Sequence, residues 1–455
     1  MARRARTLTA DGERPLTSDP AHEATSDRAR HLILLAPVGI YFFSYFHRIA
    51  PAVVVADLMA AFSPSAAMLG LLSAVYPWIF ATMALPAGTL ADTAGPRWTL
   101  TAGASFMALG AIVFGIAPTF GVAVAGRVLV GLGASVILIA WLRLGAAWAR
   151  PEETARLAGL TQTVGAIGGL VGTAPLALLV TRLGWRASFV AIGAVTGLVG
   201  AVCAVIVRDR PRPTGLARTA PPAAGGFADV VRAARAVVAN PASWPPVLTS
   251  AGIYATFLTF VGLWGVPYLV QVYGLSRVAA SSYTAWGAAG ILIGAISIGW
   301  LSDRLLVRRR LPLIVFAALY AAVWYPLAIP EGPRLPLPCF VPLCFLLGLT
   351  SSVVAVVFAV VPEVNDPRRP GVAIGFCNIP SFTGIAILQW LTGVMLDAGF
   401  AGEVVDGVRV YPFAAYRAVF MLCAALATGA AISAFGVTET RCRNVWRGAG
   451  SDARR

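Results

Sequence analysis

The fold class that this sequence predicts is an all-α membrane protein, with twelve transmembrane helices in two six-helix halves. Three observations predict it: the composition, a series of apolar runs of membrane-crossing length, and an internal repeat of 211 residues. The chain has 455 residues, 58% of them hydrophobic and 12% charged, with a mean hydropathy of +0.78. A soluble domain carries about 25% charged residues. Soluble chains of this length also divide into domains that each need a polar surface. The composition therefore excludes a soluble enzyme, a disordered chain and a disulfide scaffold.

Residues 1–30 are polar, with Arg3, Arg4, Arg6, Arg14, Arg28 and Arg30, and contain no apolar core of a signal peptide. They read as a cytoplasmic tail. Apolar runs of about 20 residues or more, enough for a ~30 Å hydrocarbon core, follow at 31–58, 67–91, 98–117, 120–148, 157–181 and 186–207. These make an N-terminal half, 31–207. Residues 208–243 are rich in Arg, Pro, Ala and Gly and read as a cytoplasmic linker. Its segment FADVVRAARAVVAN has the pattern of an amphipathic surface helix. Runs at 244–271, 279–301, 311–329, 336–361, 370–397 and 412–436 make a C-terminal half, 244–436, and 437–455 form a second tail. Cys203, Cys339, Cys344, Cys377, Cys423 and Cys442 lie mostly in apolar runs without metal-ligand spacing. They read as small buried hydrophobes, and no metal or cofactor is expected.

All 35 basic residues are arginine. Of these, 26 fall in the tails and loops on one side of the spans, and six on the other: Arg182, Arg186, Arg277, Arg334, Arg409 and Arg417. The positive-inside rule makes the arginine-rich side cytoplasmic, with both termini on it, in a plasma or inner membrane. Topology thus accounts for most of the net charge of +15, and no nucleic-acid partner is needed. Arg48, Arg127 and Arg143 remain inside spans.

The repeat is visible at the ends of spans 2 and 8, GTLADTAGPRWTL from Gly88 and GWLSDRLLVRRRL from Gly299. A shift of 211 carries Gly88 to Gly299 and Asp92 to Asp303. Two parallel six-span halves are the plan of one class of transporters. Gly88, Asp92, Gly95 and Arg97 resemble the loop signature of the major facilitator superfamily, and Gly299, Asp303 and Arg304 resemble its second copy. RVLVGLGAS in span 4, with Arg127, Gly131 and Gly133, and GWRASF at 184–189 are similar to further family motifs. The resemblance covers the chain outside its tails. It implies alternating access, with the two loop copies latching the cytoplasmic side closed when the site faces outward. It also implies that Arg127 takes part in coupling.

Span 1 carries a polar stripe. Tyr41, Ser44, Tyr45 and Arg48 are spaced i, i+3, i+4 and i+7 and share one helix face. Arg48 lies about three residues past the span midpoint, roughly 4.5 Å along the axis. An arginine at that depth costs at least ~2.5–3.5 kcal/mol, so it is expected to face a cavity or a partner such as Asp57. Its planar fork of donors suits a carboxylate or phosphate. Arg48 resembles the first-span arginine of the organic-anion and sugar-phosphate permease branches. The 211-residue shift takes it to Thr259, and span 7 contains no arginine, which departs from a two-arginine phosphate site. Tyr76, Tyr254, Asn378, Gln162 and Gln389 are further candidates for the cavity wall.

No carboxylate falls at mid-membrane. His47 is the titratable residue there, and the expected coupling is either proton symport through His47 or exchange without it. The expected function is secondary transport of a small organic anion, a carboxylate or sugar acid. The expected partners are the bilayer, the substrate and protons, with the chain acting as a monomer. Alternatives are an efflux antiporter, a dipeptide transporter and a transporter-like sensor. No ATP-binding loop, H-E-x-x-H or Ser/His/Asp constellation points to an enzyme.

Overall fold

The computed structural model describes residues 20–84, 86–149, 151–209, 227–329 and 334–446. The first crossing combines α1 (Pro20–Ile49), a 3₁₀ segment at Ala50–Val54 and α2 (Val55–Phe62). The second combines α3 (Ala66–Met83) and α4 (Pro86–Thr93). Then come α5 (Pro96–Gly115), α6 (Phe120–Trp148), α7 (Pro151–Val171) and α8 (Ala174–Ile206). The amphipathic segment is α9 (Phe227–Ala239). The seventh crossing is α10 (Trp244–Thr259), a π turn at Phe260–Trp264 and α11 (Gly265–Tyr273). The eighth is α12 (Arg277–Trp300), with a π turn at Leu301–Leu305. They are followed by α13 (Arg310–Ala328), α14 (Phe340–Ser351), α15 (Val354–Glu363) and α16 (Pro370–Ala398). A hairpin of β1 (Val404–Val405) and β2 (Val408–Arg409) precedes the last crossing, α17 (Phe413–Ala434).

Helix starts follow local chemistry. Proline, which lacks an N–H that the first turn would leave unpaired anyway, opens α4, α5, α7 and α16. Ser65, Thr119 and Ser276 cap α3, α6 and α12 by accepting from the N–H of Met68, Val122 and Ala279.

Among the described residues, eleven helical runs are long and apolar enough to cross a membrane. The twelfth crossing is hidden in α7 and α8. The chain reverses inside α8 at Gly184, whose φ of 76° and ψ of 158° break the helix. A side chain is strained in that conformation, which gives the glycine of GWRASF its physical reason. The fifth crossing therefore runs from α7 through the break at Gly172–Thr173 to residue 183, and the sixth begins at Trp185. The apolar runs at 157–181 and 31–58 both contain helix interruptions. Shifting Ala50–Val54 by 211 gives 261–265, which overlaps the π turn in span 7. Both halves thus distort their first helix at equivalent places, and the two distortions pack on each other.

Small residues let the helices meet backbone to backbone. A Cβ at Gly133 of α6 would press on the Gly103 carbonyl of α5 and lie 2.7 Å from the Met107 nitrogen. Gly145, also in α6, has nothing within 4 Å of such an atom. Gly133→Ala is expected to destabilise the protein by about 1–3 kcal/mol through overpacking. Gly145→Ala is expected to be neutral or to stabilise by a few tenths of a kcal/mol up to about 1 through helix propensity. Thermal unfolding of both variants in detergent checks this pair.

Between the two six-helix sets, α3 packs along α16, and α12 lies against α7 and α8. On the first seam Gly70 abuts the Gln389 carbonyl, and Gly393 abuts that of Ala66. Helix α9 docks on the second set. Arg369 donates to the Asp229 carbonyl at 2.6 Å, and Asn240 donates to that of Val364 at 2.8 Å. The rest of the linker expectation, 210–226, and the tails at 1–19 and 447–455 lie outside the described residues.

Candidate functional site

A cavity of about 580 Å³ lies between the two sets and runs from Tyr45 and Arg48 to Asp303 and Arg309. That end is the arginine-rich face, where Asp303 is exposed. The size is that of a small-molecule site.

Arg48 sits at the inner end within four aromatic rings. Its guanidinium carbon is 4.3 Å from the Tyr45 ring centroid, 5.3 Å from Phe382, 5.4 Å from Phe80 and 5.8 Å from Tyr76. Phe80 of α3 and Phe382 of α16 stack across the seam at 4.8 Å. The rings offer cation–π attraction. Among the described residues no carboxylate lies within ion-pair distance of Arg48, and its Nε is buried without a hydrogen-bond partner. The expected partner, Asp57, pairs instead with Arg277 at 2.8 Å.

The stripe of span 1 divides. Tyr45 and Arg48 line the cavity, as do Tyr254 and Gln162. Tyr41 and Ser44 are buried beside it. The Tyr41 hydroxyl donates to Gln162 Oε1 at 2.7 Å and lies 3.4 Å from the Tyr45 hydroxyl. The Tyr76 hydroxyl donates to the Ser44 carbonyl at 2.8 Å and lies 3.2 Å from Ser44 Oγ. Tyr41, Ser44 and Tyr76 hold the Arg48 helix face in place rather than lining the space. Thr259 is buried at the end of α10, and its hydroxyl has no partner. Asn378 is half-buried on α16 and does not line the cavity.

His47 does not line the cavity. It is 0% exposed, packs edge-on against Phe46, and neither ring nitrogen has a hydrogen-bond partner. Arg127 of α6 is also buried and donates from Nη1 to the His47 carbonyl at 2.9 Å. It ties α6 to α1 and does not reach the cavity.

The loop residues make contacts at the ends of the helices. Arg97 donates from Nε to the Ala204 carbonyl at 2.9 Å, and its backbone N–H donates to Asp209 at 2.7 Å. The Asp92 side chain lies outside the described residues. Asp303 pairs with Arg309, and Arg304 is exposed. Arg309 also holds Glu363 at 2.8 Å. Glu439 closes this group. Burial opposes its charge, but the N–H groups of Arg309, Arg441 and Arg310 hold its carboxyl below the ordinary range. Each of these contacts stays within its own six-helix set. Gly88 and Gly299 have nothing within 4 Å of a built Cβ, so neither sits at a tight helix contact here, while Gly95 turns the chain with φ 81° beside Asp209.

The opposite face is shut by contacts between the sets. Besides Asp57–Arg277, Asp397 of α16 accepts from the N–H groups of Ala66 and Ala67 at 2.9 and 2.8 Å. These open the N-terminus of α3, where a negative charge is favoured. Tyr411 also accepts from the Ala66 N–H at 3.1 Å. Sequence reasoning missed Phe80, Phe382, Arg277 and Asp397 as site or gate residues. Their partners lie far away in the chain, and no local pattern marks them.

The chain matches the family model described as Major Facilitator Superfamily over residues 38–388. It is 24% identical over 418 residues to the Membrane sensor protein UhpC of Escherichia coli (strain K12), covering 86% of this chain and 91% of that protein. It is 24% identical to the Probable L-galactonate transporter of the same species and strain, over 59% of this chain and 61% of that one. The fold superposes on a bacterial homolog to the human lysosomal transporter Spinster in an inward-facing and unoccupied conformation. The TM-score is 0.73 at 19% identity, covering 90% of this chain and 96% of that one.

Proposed function

We propose that this chain, which belongs to the Major Facilitator Superfamily, is a secondary transporter that moves a small organic anion by alternating access, with Arg48 as the anion anchor. The observation that carries this reading is the setting of Arg48. It is a cation at the end of a cavity of about 580 Å³, caged by rings, with no carboxylate among the described residues within ion-pair distance. A permanent charge so placed is costly unless a counter-charge arrives. A bound anion supplies it. The printed name of one relative, the Probable L-galactonate transporter, is in keeping with an acid substrate.

We take the arginine-rich face as cytoplasmic, which makes this the inward-open state. In the outward-open state the Gly88–Arg97 and Gly299–Arg304 loops would meet their partners across the halves. Uptake of a radiolabelled anion into proteoliposomes tests the function, and a protein that binds but produces no flux refutes it. That outcome would favour the second reading, a ligand sensor, which the printed name of the UhpC relative supports.

The position of His47 off the cavity favours exchange over proton symport through that residue. His47→Gln is expected to retain at least half of wild-type uptake in proteoliposomes carrying an imposed pH gradient. Loss of pH-driven accumulation with counterflow intact would return the coupling role to His47.

A further inference from the structure

Resting on the anion reading above, we infer that the substrate is an amphipathic monocarboxylate: one carboxylate on an apolar, largely hydroxyl-free body. The polar groups of the cavity are few and mostly committed. Thr163, Ser351 and Ser352 donate their hydroxyl protons to their own helices, to the carbonyls of Gly159, Gly348 and Leu349 at 2.9, 2.8 and 2.6 Å. The carbonyl of Gln162 already accepts from Tyr41. The donors that remain for a ligand are the Arg48 fork, the Tyr45 and Tyr254 hydroxyls and the Gln162 amide N–H groups. The rest of the wall is aliphatic and aromatic, with Phe257, Leu258, Ile291, Leu292, Ile296 and Phe358.

Charge balance narrows the class further. One guanidinium neutralises one carboxylate. A phosphate monoester carries about −1.5 to −2 at neutral pH, and its surplus would stay buried opposite no second cation. Arg309 is not that cation, because Glu363 and Asp303 hold it at the mouth. An ammonium group fares no better, since the cavity's carboxylate, Asp303, is tied to the same arginine. A polyhydroxylated acid would leave several hydroxyls against an apolar wall, and buried hydroxyls without partners are strongly disfavoured. An apolar body instead gains from that wall.

The test uses the full chain in nanodiscs and reads binding by titration calorimetry. The probes are 4-methylvalerate, its neutral amide 4-methylpentanamide, galactonate, glucose 6-phosphate and leucine. The expected result is binding of 4-methylvalerate at least about tenfold tighter than any other probe, lost in Arg48→Gln. Phe257→Ser, with its unliganded unfolding temperature checked, is expected to narrow the gap between 4-methylvalerate and galactonate. Arg48-dependent binding of galactonate, glucose 6-phosphate or leucine as tight as that of 4-methylvalerate overturns this inference and leaves the anion reading standing. Equal binding of 4-methylvalerate and its amide also overturns it. If no anion among the probes binds in an Arg48-dependent way, both fail.

Discussion

Replacing Arg48 with leucine is expected to abolish anion binding while leaving the unliganded protein as stable as before, or more stable. The two halves of that result have one cause. The guanidinium is buried among Tyr45, Tyr76, Phe80 and Phe382, with no carboxylate among the described residues within ion-pair distance. An uncompensated charge in such surroundings is a burden on the folded state. An apolar side chain of smaller volume removes it, and the known trade between site chemistry and stability then runs in favour of stability. Binding moves the other way. Removing one partner of a desolvated, hydrogen-bonded charge pair costs about 2–5 kcal/mol, or roughly 30- to 4,000-fold in affinity at 1.4 kcal/mol per tenfold. Arg48→Lys is expected to lose at least about tenfold, because an ammonium lacks the planar fork and the ring stacking. Thermal unfolding and calorimetric titration of the same samples check both halves. A marked drop in unliganded stability would show Arg48 to be a structural residue.

The second large effect concerns the closed face. Asp57 and Arg277 are partly buried and join the two six-helix sets at 2.8 Å, and Asp397 caps the start of α3 from the other set. In the state open to the opposite face these contacts must part, so they bias the equilibrium toward the shape described. A charge-assisted hydrogen bond contributes about 1.5–3 kcal/mol. Asp57→Asn is therefore expected to shift the equilibrium roughly 10- to 150-fold toward the opposite-open state. The double reversal Asp57→Arg with Arg277→Asp is expected to recover much of the wild-type distribution. Spin-label distances between the ends of α2 and α12 read the shift directly. An unchanged distance distribution in both Asp57→Asn and Asp397→Asn would mean that these contacts do not hold the face shut.

Much of the fold was legible because the bilayer imposes it. Apolar length finds the spans, and the repeat from Gly88 to Gly299 pairs the halves. The stripe from Tyr41 to Arg48 was legible because helical spacing puts those residues on one face. Where reading failed, the cause lay between helices. The same stripe turns Tyr45 toward the cavity and Ser44 toward Tyr76, because α1 is wrapped by neighbours on both sides, and spacing along one helix says nothing of which neighbour lies where. Asp303 pairs with Arg309 beside the π turn at Leu301–Leu305, a contact that the loop motif does not reveal. Asp57–Arg277 and Asp397–Ala66 join residues hundreds of positions apart, and neither carries a motif. Gly184 was seen as part of a motif, but the reversal that it makes appears only in the backbone angles.

The central claim is that Arg48 holds a transported anion between two halves that alternate. Its most direct test is counterflow of radiolabelled 4-methylvalerate in proteoliposomes preloaded with unlabelled compound, with wild-type protein and Arg48→Gln reconstituted at equal density. The account predicts a saturable overshoot in the wild type and none in the variant, although both remain folded. Equal counterflow through the two proteins would contradict it.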